Sequence, residues 1–96
     1  MNDATPKPAP SVHLAWGKGG HAEILELVED MIVVRSTTPA PPGARLEATL
    51  ELEPRAAVKL KSHGSHKEAD GSFTLKGRLI DATRQLRERL AALVLV

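Results

Sequence analysis

The chain has 96 residues, enough for one domain, and its 13 basic and 12 acidic side chains leave a formal charge of +1. That balance excludes a general pull toward DNA or an anionic membrane. With no Cys, disulfides, zinc–thiolate sites and thiol nucleophiles are excluded. Trp16 and Phe73 are its only aromatic residues, too few for a base-stacking platform.

Residues 1–10 carry Pro6, Pro8 and Pro10 among polar neighbours and read as a flexible arm, with 11–96 as the folded domain. The arm has no apolar core of the signal-peptide kind, and no apolar run approaches a membrane span, so the expected location is the cytoplasm.

Ser11 to Trp16 alternates, with Val12, Leu14 and Trp16 on one face, as in a half-buried strand. Gly17-Lys18-Gly19-Gly20 then provides a turn. It lacks the spacing, the Ser or Thr and the helix of a phosphate-binding loop.

Ala22 to Ser36 supports two readings. Ile24, Leu25, Val28, Met31 and Ile32 fit a helical stripe. A hairpin has strands at 22–28 and 31–36 with a turn at Glu29-Asp30. The continuous, β-branched Met31-Ile32-Val33-Val34 and the missing cap before Ala22 favour the hairpin.

Pro39-Ala40-Pro41-Pro42-Gly43 is a loop. Arg45 to Glu53 alternates cleanly, placing Leu46, Ala48, Leu50 and Leu52 inward, and Pro54 ends the strand. Ala56 to Lys61 continues with Val58 and Leu60 inward and Lys59 and Lys61 outward, so the acidic outer face of one strand is expected beside the basic face of the next. Ser62 to Ser72 reads as a polar hairpin tip with its turn at Asp70-Gly71. Phe73 to Leu79 gives a last strand, in which Gly77 marks a bulge or tight bend.

Asp81 is the expected N-cap of a helix to Val94, with Leu86, Leu90 and Leu93 on its apolar face and an Arg84–Glu88 pair on its polar one. Such a helix needs an apolar surface to cover, and the open end of a small barrel provides one. The apolar Leu93 to Val96 either finishes the core or forms a self-association patch, a route to a homodimer.

No catalytic constellation is legible. His63 and His66, with His13 and His21 elsewhere, form no held metal set. Glu23, Glu26, Glu29 and Asp30 lack a cleft that would split their pKa values, and no serine has a legible base. An enzyme and a nucleic-acid binder are both disfavoured, and no cofactor is expected.

The order of elements resembles the PilZ domain. A strand hairpin, a Pro/Gly loop into "PGARLEATLEL", an "AAVKLKS" strand, a "GSFTLKGRLI" strand and a closing "DATRQLRERLAAL" helix carry the resemblance over roughly residues 11–94. It implies a mainly β fold, a six-stranded antiparallel β-barrel with a C-terminal α-helix, and a role in bacterial signalling or motility.

The family's usual ligand is cyclic di-GMP, held by an RxxxR motif and a (D/N)xSxxG motif. No Arg precedes Arg35. Glu26 stands where the second motif has its acid, while Val28 and Met31 replace its serine and glycine. Phosphates call for guanidinium forks, and Glu26, Glu29 and Asp30 would oppose them. The resemblance thus implies a degenerate PilZ-like adaptor that binds another protein. Glu26, Glu29, Asp30, Arg84 and Arg87 are its candidate contacts, and the His-bearing tip at 63–66 is a further surface. The alternative is a cyclic di-GMP receptor using Arg35, Arg45 or Arg78.

Overall fold

The computed structural model describes residues 12–94; the Pro-rich arm and the last two residues lie outside the described part. Strands β1 (Val12–Trp16), β2 (His21–Val28), β3 (Met31–Ser36), β4 (Arg45–Leu50), β5 (Ala57–Lys67) and β6 (Phe73–Ile80) precede one helix, α1 (Arg84–Val94). All pairings are antiparallel, and the sheet closes in the order β1-β2-β3-β6-β5-β4. The architecture is the expected six-stranded barrel with a C-terminal helix. No helix of the described residues is long and apolar enough to cross a membrane.

Two-residue alternation builds the interior. Leu14, Ile32, Val34, Leu50, Val58, Leu60 and Leu75 point inward and are fully buried. Leu90 of α1 is likewise fully buried, with Leu86, Ala91, Leu93 and Val94 packed beside it against the core. The last apolar turn described therefore serves this chain's own core. Ala40 from the proline loop is buried too; its N–H donates to Ser65 Oγ at 3.1 Å.

The hairpin at 22–36 forms as expected, with a bulge at Leu25 that shifts the register between Ile24 and Glu26. The extra residue sends both Leu25 and Glu26 outward and returns Leu27 to the core. Of the helical stripe, only Ile24 and Ile32 are buried; Leu25, Val28 and Met31 are apolar residues left on the outer surface by the bulge and the turn.

Four boundaries differ from the sequence reading. First, β4 stops at Leu50, where Leu50 N–H still donates to Ala56 O, so Leu52 is exposed rather than inward. The loop is instead tied to α1 through Arg89, whose guanidinium donates to Leu52 O at 3.1 Å and to Pro54 O.

Second, β5 runs on to Lys67, so His63 and His66 lie within a strand and not in a loose tip. Ser62 is buried, and His66 pairs across from Thr74. Polar residues sustain this strand because β6 supplies its ladder bonds; side-chain hydrophobicity is not required there. Third, the bulge expected at Gly77 lies across the ladder from it, between Ser62 and Gly64. Gly77 allows a close approach: a Cβ there would sit 2.8 Å from Lys61 O and 2.9 Å from Leu60 Cδ1.

Fourth, Thr83 rather than Asp81 caps α1. Its Oγ1 accepts from Leu86 N–H at 3.1 Å, while Asp81 has φ of 53° and belongs to the turn out of β6. Leaving a strand for a helix takes a chain reversal, and Asp tolerates left-handed backbone better than most residues.

Candidate functional site

The hairpin turn and α1 bring together four of the five candidate contacts. Glu29, Asp30, Arg84 and Arg87, with Leu27, Glu88 and Ala91, line a shallow depression of about 510 Å³. Arg87 Nη1 donates to Asp30 Oδ1 at 2.8 Å, and Arg84 Nε to Glu88 Oε2 at 3.1 Å. Leu79 N–H donates to Asp30 O at 2.8 Å, which anchors the turn to β6. The acidic hairpin and the arginine-bearing helix thus meet in one internal contact through Asp30 and Arg87, while Arg84 pairs with Glu88 within α1. Glu26 stands apart, exposed on β2 and opposite Val33.

The unanswered charge lies on the outer face of β4, β5 and β6. Arg45 pairs across from Lys61, and Lys61 across from Arg78. All three are exposed. At about 4.8 Å between strands, they form a cationic row roughly 10 Å wide. Lys59 and Lys76 flank it at neighbouring outward positions. The expected acid-against-base arrangement of β4 and β5 holds only at Glu47 opposite Lys59; one step along, Arg45 faces Lys61 instead.

None of these five cations joins an ion pair among the described residues. Like charges placed directly opposite weaken a sheet. The row therefore costs the fold stability, and an anionic partner would offset that cost. Its signal in the sequence is the outward Lys59/Lys61 and Lys76/Arg78 spacing. The near-zero net charge hides it, because the acids other than Glu47 sit off these three strands' outer face.

Beside this face, the barrel seam between β1 and β4 opens. Gly17 N–H donates to Glu47 O at 2.8 Å; beyond that bond β1 has turned away, with Gly19 N–H donating to Trp16 O at 3.0 Å. The opening forms a groove of about 780 Å³, whose lining includes Trp16, Lys18, Pro39, Pro41, Arg45 and Leu46. The glycine turn forms as expected; its position beside a cavity could not be read from residues 17–20 alone.

In the turn between β5 and β6, Asp70 Oδ1 accepts from Ser72 N–H at 2.9 Å and from Ser72 Oγ at 2.6 Å. These bonds, the side-chain one foremost, hold its carboxyl below the ordinary value of 3.8. Among the described residues no three His, Cys, Asp or Glu side chains gather as a metal set.

Comparison with protein-family models, with curated proteins and with solved structures returns no match in any of the three.

Proposed function

We propose that this chain is a non-catalytic, PilZ-like adaptor module that binds an acidic partner protein through the outer face of β4, β5 and β6, without holding cyclic di-GMP in the family's usual way. The observation that carries this reading is the row Arg45–Lys61–Arg78, exposed and free of ion pairs with described residues. Such a row attracts acidic surfaces over long range and speeds their encounter. The barrel with its terminal helix supports the PilZ likeness. The absence of an Arg before Arg35, and Val28 and Met31 on the hairpin, support loss of the standard ligand.

A second reading has one observation in its favour. Arg45 and Arg78, two members of the alternative arginine set, share this row, and Arg35 is exposed on the same outer face opposite Thr74. Guanidinium groups so placed also suit the phosphates of a dinucleotide.

Calorimetry separates the two. The adaptor reading expects no heat with cyclic di-GMP, and partner capture from the native host that disappears when Arg45, Lys61 and Arg78 are all changed to Glu. Micromolar cyclic di-GMP binding, abolished by Arg78→Ala, would install the second reading. Capture that survives the triple change would remove the first.

A further inference from the structure

We infer that the open seam beside β4 is a peptide-docking site, which takes an extended segment of alternating apolar and acidic residues as an added strand. The argument starts from the hydrogen-bond parity of β4. Leu50 N–H donates to Ala56 O, and Ala44 O accepts from Ser62 N–H, so the even-numbered residues of β4 face β5. The odd-numbered ones face β1: Glu51 N–H donates to His13 O, and Glu47 O accepts from Gly17 N–H.

The next rung falls at Arg45, opposite Gly19. Gly19 N–H is already spent on Trp16 O within the turn. The N–H and C=O of Arg45 therefore open onto the groove. A strand edge left unpaired is a template for another chain. Elsewhere the sheet is closed.

The groove dictates the side chains of the guest. Successive residues of an added strand point to opposite faces. The residue opposite Arg45 would lie on the outer surface beside its guanidinium and would be acidic. Its neighbours would turn inward, over the half-buried Leu46 and the buried Leu75 that line the cavity, and would be apolar. Lys18, exposed on the opposite rim, supplies a cation for a second carboxylate. Pro39 and Pro41 wall the far side; having no N–H, they cannot compete for the guest's carbonyls.

This site shares only Arg45 with the cationic row and stands without it. The test uses the full chain and the probe acetyl-Val-Glu-Val-Glu-Val-amide, followed by NMR with amide exchange. Saturable binding is expected, with slowed exchange at the Arg45 amide, and with affinity about tenfold above that of the same peptide carrying Lys for Glu. Lys18→Glu and Arg45→Glu should each weaken it severalfold, while Arg78→Glu leaves it unchanged. Absence of binding at millimolar peptide, equal affinity for the lysine peptide, or an unprotected Arg45 amide in the complex would overturn the inference. So would loss of binding in Arg78→Glu without loss in Lys18→Glu, which would move the acids onto the row and leave the adaptor reading standing.

Discussion

Trp16 Nε1 donates to Ser36 Oγ at 2.9 Å, and that hydroxyl donates in turn to Thr38 O at 2.7 Å. One small side chain thus satisfies the indole and fixes the first residues of the proline loop. Both Trp16 and Ser36 are buried. Ser36→Ala should cost about 1–3 kcal/mol, because it leaves a buried N–H without an acceptor. Urea unfolding followed by far-ultraviolet circular dichroism measures the loss, in chains with and without the tryptophan alike. In Trp16→Phe the orphan is gone, so adding Ser36→Ala to it should cost less than in the wild type.

Gly77→Ala should destabilise by about 1–3 kcal/mol. The new methyl would meet the carbonyl of Lys61, a backbone atom of the neighbouring strand that cannot rotate away. Thermal unfolding would show a lower midpoint, and amide exchange would place the loosening at the junction of β5 with β6. A variant as stable as the wild type would mean that the two strands are farther apart than described.

The Asp30–Arg87 pair ties the hairpin turn to the closing helix, with 37% and 46% of the side chains exposed. At that exposure its coupling in a double-mutant cycle with Asp30→Asn and Arg87→Ala should be about 0.2–1 kcal/mol, and smaller in high salt. By contrast, Leu90→Ala removes a fully buried side chain and should cost about 2–5 kcal/mol. The helix is held by its leucine, with the ion pair a minor contribution.

Lys61→Glu separates stability from binding. It replaces two like-charged neighbours, Arg45 and Arg78, by two attractive ones. Each cross-strand pair should gain about 0.2–1 kcal/mol. The midpoint of unfolding should therefore rise, while retention on an immobilised polyglutamate column falls. A variant that is both less stable and equally retained would show that the cationic row does not act as a unit.

The pH dependence around Asp70 follows from its lowered pKa. A carboxyl depressed on folding adds stability above its unfolded value and loses it as the pH falls through the folded one. Its contribution should be complete above about pH 5 and fade in more acid solution. NMR titration of the carboxyl should find its midpoint below 3.8 in the wild type and higher in Ser72→Ala, which removes the largest cause of the shift.

Most of the barrel was legible because burial imposes a period of two. Val12, Leu14 and Trp16, or Ala48 and Leu50, report their strand whatever their neighbours do. Boundaries were not legible where hydrogen bonding and hydrophobic pattern part company. Residues 62–67 look like a loop by composition, yet β6 gives them a ladder; Leu52 continues an alternation that the backbone has already left. Of the candidate contacts, Asp30 and Arg87 are far apart in the chain, and no local pattern reveals that each neutralises the other. The row of Arg45, Lys61 and Arg78 depends on three registers at once, which alternation within single strands does not supply.

The gap left where β1 turns away at Gly17 bears on how this molecule behaves at high concentration. A closed cylinder gives fibrils no flank on which to grow, save at this short lip. Intermolecular stacking would begin there, and an occupant of the groove would double as a guard against aggregation.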